Sequence, residues 1–168
     1  MKSLICPFDA KSGVLCTRCE SKLESGVITH DDVKAAIKLA RIAEKDQQVD
    51  KFTLLRGAQV DDDFVLVLRS PDVVALRSNS TLADKVESEF GQKVWFVESE
   101  ASERGFVEGL LSPLKVLSVN LFWMPDGSKL TKVVAAGDAK KARVNIEKVV
   151  KIAKAVRNID LLIEFENR

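Results

Sequence analysis

Apolar residues recur along residues 29–46 at the spacing of a helix that packs on one face. The recurring positions are Val33, Ala36, Ile37, Ala40 and Ala43, with lysines and Arg41 between them. Thr29 precedes the pattern as a candidate N-cap, and Asp31 and Asp32 follow in the first turn, where carboxylates oppose the positive end of a helix. The pattern therefore predicts one amphipathic helix over about 29–46.

The pattern then changes to short segments rich in β-branched and aromatic residues, separated by polar clusters. The predicted elements are strands over 51–57 and 63–70, a short helix over 70–76, a polar break over 77–80, a helix from Thr81 to Gly91 capped by Ser80, and a strand over 93–98. The predicted order after the first helix is therefore strand, strand, helix, helix, strand.

The same order of elements recurs in the last third of the chain, about 68 residues further on. Its predicted members are a helix over 102–111, strands over 115–124 and 129–136, a short helix over 138–141, a break over 142–145, a helix capped by Asn145 and a strand over 159–165. The repeat predicts an α+β chain of two related units, over 29–100 and 101–168, preceded by a small module over 1–28.

All three cysteines lie in the segment "CPFDAKSGVLCTRC", from Cys6 to Cys19. The spacing C-x2-D-x6-C-x2-C is that of two zinc knuckles in which Asp9 occupies the place of a fourth cysteine. Zinc accepts carboxylate oxygen as well as thiolate, so one structural zinc ion is expected on Cys6, Asp9, Cys16 and Cys19. His30 is an alternative fourth ligand, and a degenerate knuckle whose thiols only pack is the alternative to a metal site.

Composition narrows the class of protein. The chain of 168 residues has 30% charged residues and a net charge of +1. No apolar stretch reaches the roughly 20 residues of a membrane span, and no secretory signal begins the sequence. Clustered thiols in a protein of this kind indicate the reducing cytoplasm. Residues 1–114 carry 15 basic against 19 acidic side chains, and residues 115–168 carry 11 against 6, so the basic end is a candidate for a polyanionic partner.

Two further segments carry a resemblance to a known family. "EFGQKVWFVE" closes the first predicted unit, and the connector over 106–119 reads "FVEGLLSPLKVLSV". With the order of elements, they make residues 30–166 resemble the tandem type II KH region of archaeal NusA-like transcription elongation factors. Some members of that family also carry an N-terminal zinc knuckle pair with a segment similar to "SGVLC" (12–16).

The resemblance implies RNA binding, because KH domains hold single-stranded RNA against a Gly-x-x-Gly loop between two helices. Neither corresponding break, over 77–80 and 142–145, contains glycine. Both KH-like units are therefore expected to be degenerate, and any binding of single-stranded RNA to be weak and driven by charge. The candidate RNA-binding residues are Lys140, Lys141 and Arg143 around the second break and Arg77 in the first.

The expected function is that of a non-catalytic accessory factor in transcription elongation or termination. The chain has one histidine and no tyrosine, and no nucleophile has an evident base partner, so no enzymatic activity is expected. The expected partner is RNA polymerase or other transcription or translation machinery. The alternative is a protein-interaction adaptor that has lost RNA binding. Trp95, Phe96, Phe122 and Trp123 could stack on bases, but core packing is expected for at least two of them.

Overall fold

The computed structural model describes residues 1–166, in which the chain divides into two compact units. The first unit is Met1–Glu100, and the second begins at Ala101. Each contains one three-stranded sheet together with helices. The mixed α+β fold in two units, expected from the repeated pattern, is confirmed at this level. None of the described helices is both long and apolar enough to cross a membrane.

The first unit has six helices and three strands among the described residues. Its helices are α1 (Pro7–Ser12), α2 (Thr17–Glu24), α3 (His30–Ala43), α4 (Gln47–Asp50), α5 (Ser70–Ser78) and α6 (Ser80–Phe90). Its strands are β1 (Leu54–Val60), β2 (Asp63–Leu68) and β3 (Val94–Glu98). The sequence pattern did not predict α1, α2 or α4, because each is too short to show an apolar period.

From α7 onward, the second unit repeats the order in which α3, β1, β2, α5, α6 and β3 follow one another in the first unit. Its helices are α7 (Glu103–Leu111), α8 (Ala139–Ala142) and α9 (Ile146–Arg157). Its strands are β4 (Lys115–Trp123), β5 (Lys129–Ala136) and β6 (Leu161–Glu166). The predicted bounds of β5 are those observed, and Asn145 caps α9 as expected by accepting the backbone N–H of Lys148 at 3.1 Å.

The two sheets have the same topology and the same register. In each, the middle strand pairs antiparallel with the first strand and parallel with the third. Each first strand also carries a bulge near its beginning. Gly57 lies opposite Leu66 in the first sheet as Val119 lies opposite Val133 in the second. Each residue of β1 therefore corresponds to the residue 62 positions later in β4, and each residue of β2 to the residue 67 positions later in β5. The two spacings differ because the second hairpin is longer.

The core of the first unit lies between helix α3 and the sheet. Ala35, Leu39 and Phe64 are fully buried there. The predicted inner face of the helix included neither Ala35 nor Leu39, whereas Val33 and Ile37, which it did include, are only partly buried. The packing is close at Gly57, since a Cβ built there would lie 2.7 Å from the Cβ of Ala35. The helix therefore meets the sheet at a position that only glycine can occupy without displacement.

The break between the two later helices of the first unit is shorter than predicted. Helix α5 continues to Ser78 and α6 begins at Ser80, so only Asn79 lies between them. Asn79, not the predicted Ser80, caps α6 by accepting the backbone N–H of Leu82 at 3.2 Å. The prediction of Ser80 as the cap was wrong because the amide oxygen of asparagine serves equally well one residue earlier.

The second unit buries one face of its sheet against α7 and α9. Val107, Leu111, Val133 and Ile152 are fully buried. Towards the β4–β5 turn the strands lose this cover, and the residues from Asn120 to Trp123 are all exposed. The hairpin therefore ends in side chains that the helices of this unit do not bury.

Candidate metal centre and nucleic-acid interface

The cysteine-bearing segment folds as two short helices that each begin next to a cysteine. Cys6 is the N-cap of α1 and Cys16 is the N-cap of α2, both in extended backbone conformation. Asp9 and Cys19 follow three residues after each cap, which places each pair on one side of its helix. The first turn of α1 therefore carries Cys6 and Asp9, and the first turn of α2 carries Cys16 and Cys19 in the same arrangement.

These four side chains converge on one point. The ligand atoms of Cys6, Asp9, Cys16 and Cys19 all lie within 4.8 Å of one another. The sulfur atoms of Cys6 and Cys16 are 4.0 Å apart. Asp9 and Cys19 are buried, Cys6 is half-buried and Cys16 is exposed. A group with three soft sulfur donors and one oxygen donor, open on one side, could hold one metal ion.

Asp9 is held as an ionised acceptor inside this group. Its Oδ2 accepts the backbone N–H of Cys16 at 2.9 Å, and its side chain is only 1% exposed. That N–H bond, followed by bonds from the thiols of Cys19 and Cys6, holds the pKa of Asp9 well below the ordinary range of a carboxyl group. The carboxylate links the two helix starts through one oxygen, which leaves the other for an ion.

Two of the thiols are held protonated. Burial raises the pKa of the Cys19 thiol to about 12. The hydrogen bond between the Cys6 thiol and Asp9 raises the pKa of Cys6 as well. Metals bind the thiolate form, so an ion entering the group must displace protons from these sulfurs.

His30, the alternative fourth ligand, lies outside the group. It is the first residue of α3 and its side chain is exposed. The described residues that gather around the thiols are the three cysteines and Asp9. The structure therefore brings together the donor set with Asp9 and does not bring in His30.

Apolar contacts anchor the cysteine-bearing segment to the first unit. Ile5, Ala10 and Cys19 are buried in the cluster that contains Leu39 and Phe64. Lys2 also forms a bridge with Thr53 next to β1. So short a stretch can bury no core of its own. Much of the burial of this segment is therefore supplied by the rest of the first unit, to which it belongs.

Three basic side chains surround the break between α8 and α9. Lys140, Lys141 and Arg143 are all exposed. Within residues 1–166 none of the three has an ion-pair partner. Arg143 ends α8 with φ +58°, in the left-handed region that arginine rarely adopts. The structure therefore places two of the three predicted residues on α8 and the third at its C-cap, all exposed.

Arg77 occupies a different setting. It lies in the last turn of helix α5, not in a loop, because the helix continues to Ser78. Its guanidinium is 3.9 Å from the carboxylate of Glu98 on β3. The equivalent position in the first unit is therefore a helical residue with a nearby acidic partner.

The aromatic residues fall into two groups. Trp95 is half-buried: its indole N–H donates to Asp63 at 2.9 Å, and the Lys93 ammonium lies 4.5 Å from its ring. Phe96 packs against the first core. Phe122 and Trp123 are 46% and 70% exposed, although strand alternation predicts that one of them points inward. The signal that could have found them is the longer β4–β5 hairpin, which extends beyond the packed helices.

Comparison with known proteins supports the fold alone. No family model and no curated protein matches the chain. Among solved structures, the crystal structure of APE1850 is similar, with a TM-score of 0.53 at 13% sequence identity. The match covers 68% of this chain and 88% of that chain. The arrangement of helices and strands is thus similar to that of a known structure.

Proposed function

We propose that this protein is a non-catalytic RNA-binding accessory factor of the transcription machinery. The observation that carries the proposal is the cluster of Lys140, Lys141 and Arg143, exposed and without ion-pair partners within residues 1–166. Unpaired cations at a break between two helices attract a phosphate backbone. In this reading the second unit binds single-stranded RNA by charge, with little preference for sequence.

The backbone at Arg143 supports a functional reason for its charge. A residue other than glycine in the left-handed region costs roughly 1–2 kcal/mol. Glycine adopts this conformation without that cost, and asparagine and aspartate adopt it more readily than other residues do. The other described non-glycine residues with positive φ are Asp61 and Asn158. A strained arginine at an exposed turn is consistent with selection for its guanidinium.

The order of elements supports a KH-like interpretation of each unit. From α3 in the first unit and α7 in the second, both run helix, strand, strand, helix, helix, strand, apart from the short helix α4 before β1, and the two sheets share one register. Glycine is missing from both breaks between the later helices, so bare backbone cannot approach the phosphates there. Side-chain charge takes over that task in the second unit. The first unit is the weaker candidate, since Asn79 caps a helix and Arg77 lies near Glu98.

The metal proposed for the cysteine group is zinc in a structural role. A tetrahedral zinc site with bonds of about 2.3 Å to sulfur requires ligand atoms roughly 3.8 Å apart. The observed group, with all ligand atoms within 4.8 Å, needs a contraction of about 1 Å at most. Zinc would join the starts of α1 and α2 and so fix the segment that packs on α3. All four protein donors are then used, which leaves no open position for catalysis.

RNA polymerase, or another component of the transcription or translation machinery, is the proposed protein partner. The second candidate function is a protein adaptor without RNA binding, and the absence of glycine from both breaks favours it. The two candidates differ in one measurable property, the affinity for single-stranded RNA.

Fluorescence anisotropy with a labelled single-stranded RNA, repeated over a series of salt concentrations, tests the proposal. The expected affinity is micromolar or weaker. Each phosphate neutralised adds about 0.7 to the magnitude of the slope of log affinity against log salt, so three contacts predict a slope near −2. The triple substitution Lys140→Ala, Lys141→Ala and Arg143→Ala should nearly abolish both slope and affinity.

A matched control removes three positive charges from the first unit. Lys11, Lys45 and Lys51 are also exposed, and their substitution by alanine should change the slope by much less. Equal losses in the two triple variants would mean that net charge alone attracts RNA. Undetectable binding at low salt would establish the adaptor instead. Tight binding that salt does not weaken would locate the RNA on another surface.

A further inference from the structure

The two units differ in how the outer edge of their first strand is covered. In the first unit, helix α3 covers the edge of β1 with two carboxylates. Asp32 Oδ1 accepts the backbone N–H of Gly57 at 2.7 Å, and Asp31 Oδ2 accepts that of Gln59 at 3.0 Å. Strand groups that point away from β2 are therefore already hydrogen-bonded within the unit.

The second unit lacks both carboxylates. Thr29 caps α3 and Ser102 caps α7, so Asp31 and Asp32 correspond to Arg104 and Gly105. Arg104 is a donor: its Nε donates to Glu108 at 2.9 Å and its Nη2 to the carbonyl oxygen of Val116 at 3.4 Å. Gly105 has no side chain to offer. A replacement of two acceptors by a donor and a glycine leaves the strand amides without acceptors from this helix.

The shared register identifies which amides these are. Val119 and Leu121 in β4 correspond to Gly57 and Gln59 in β1, so their N–H groups point to the outer edge. Over residues 1–166 no side chain accepts from either amide, and β4 pairs with β5 alone. An edge strand with unsatisfied N–H and C=O groups is a template for another strand.

The side chains at this edge are apolar on both faces of the sheet. Leu121 lies opposite the buried Thr131 and therefore shares its face, while Phe122 lies on the other face opposite Leu130. Trp123 and Met124 complete the group. The exposed fractions run from 43% to 70%. The side chains of a strand added beside β4 would pack next to these residues on both faces of the sheet.

We propose that the edge of β4 is the interface of a symmetric dimer of this chain. Two copies of β4 would pair antiparallel about a two-fold axis near Phe122. This register places Leu121 opposite the partner copy's Trp123 and pairs the two Phe122 rings on the other face. In a two-fold interface the same surface of each copy contacts the other copy, so the surface must be complementary to itself.

The charges at the rim suit a second copy. Lys129 lies 3.4 Å from Glu103, and Lys132 lies 3.1 Å from Glu164. Because each cation has an acidic partner in its own unit, two rims brought together do not repel one another strongly. The same pairing disfavours a polyanion at this end of the unit, since phosphates bind where cations lack partners.

The area is that of a weak dimer. Leu121, Phe122, Trp123 and Met124 together expose about 400 Å² of apolar surface per copy. Two such patches with the paired strand edges come to roughly 1,200 Å² in total, the lower limit for a specific interface. Dissociation in the micromolar range is therefore expected, so that dimers form at high protein concentration only.

Sedimentation velocity of the full chain from about 1 to 200 µM tests the proposal over the range that a weak interface requires. The wild type should shift from monomer to dimer. Leu121→Lys should lower the association constant at least tenfold, because it places a charge inside the interface. Leu55→Lys is the matched control: Leu55 is 40% exposed in β1, against 45% for Leu121, and its substitution should leave the dimer intact.

Amide hydrogen exchange of the wild type gives a second measurement that no substitution can disturb. The amide of Leu121, which faces Trp123 of the other copy in this register, should exchange more slowly as concentration rises. The amides of Gly57 and Gln59 should be protected at every concentration, because Asp32 and Asp31 hold them within the unit. A monomer throughout the range, or a dimer unaffected by Leu121→Lys, overturns the proposal. Quenching of Trp123 fluorescence by single-stranded RNA, lost in Trp123→Phe, would assign this edge to base stacking instead.

Discussion

The carboxylate of Asp9 accepts the backbone N–H of Cys16 at 2.9 Å. This bond joins the two halves of the cysteine-bearing segment, since Asp9 follows the first helix start and Cys16 precedes the second. A cysteine at position 9 could supply a fourth thiolate but only a weak acceptor for that N–H. The aspartate therefore has two roles: it accepts the Cys16 N–H, which stabilises the fold, and it supplies an oxygen to the donor set.

Asp9→Cys separates these two roles. With metal bound, a fourth thiolate should raise zinc affinity at least tenfold, because sulfur suits zinc better than a single carboxylate oxygen does. Without metal the variant should melt at a lower temperature than the wild type, because the Cys16 N–H loses its ionised acceptor. Competition with a chromophoric chelator measures the affinity, and thermal unfolding in excess chelator measures the apo stability.

The wild type should contain about one zinc per chain after purification without chelator and with zinc supplied. Cobalt substitution should give the charge-transfer absorption of thiolate ligands in the wild type. Asp9→Ala should alter that spectrum, and His30→Ala, which changes a residue outside the group, should leave it unchanged. Less than about a tenth of an equivalent of zinc would contradict a metal site and support the degenerate knuckle.

Metal affinity should fall steeply as pH is lowered. The raised pKa values of Cys6 and Cys19 keep both thiols protonated at neutral pH, whereas the lowered pKa of Asp9 keeps its carboxylate ionised. Metal binding to these two sulfurs therefore releases at least two protons, and log affinity should rise by at least two per pH unit between pH 6 and 8. Titration calorimetry in buffers of different ionisation enthalpy counts the protons. A release of one proton or fewer would show that the thiols are not the ligands.

Arg143→Gly should move stability and RNA affinity in opposite directions. Glycine relieves the left-handed backbone at φ +58°, and stability should rise by about 1 kcal/mol. The lost charge should weaken RNA binding and reduce the magnitude of the salt slope by about 0.7. Arg143→Lys keeps both the charge and the strain and should resemble the wild type. Unchanged RNA affinity in the glycine variant would remove Arg143 from the interface.

Gly57→Ala should destabilise the first unit by about 1–3 kcal/mol, the usual cost of an overpacked core. The new Cβ would lie 2.7 Å from the Cβ of Ala35 and 2.9 Å from the backbone oxygen of Asp31. Neither atom belongs to the end of a flexible side chain, so helix and strand must separate. Gly105→Ala is the control, because its Cβ would meet only side-chain atoms at 3.3 Å or more. Chemical denaturation measures both variants, and equal stabilities would contradict the close packing.

The repeated order of elements was readable from the sequence because it depends on local signals. The alternation in β5, the caps at Thr29 and Asn145, and the glycine after α6 each act within a few residues. The regular spacing of Cys6, Asp9, Cys16 and Cys19 likewise identified the candidate metal group, since short-range spacing determines which side chains share a helix side. The sequence left the choice between Asp9 and His30 open.

Contacts between distant segments decided the rest. His30 is the first residue of α3, which a turn separates from α2, and its side chain lies outside the metal group. The spacing of residues in the sequence does not predict this position. Helix α1 is ordered by burial of Ala10 in a core that α3 and β2 supply. Phe122 and Trp123 are both exposed because the helices of their unit do not reach the end of the hairpin, whereas strand alternation predicts that one of the two points inward. Local periodicity therefore determined the elements and the donor spacing, whereas burial and the cover of each strand edge depended on packing between residues far apart in the chain.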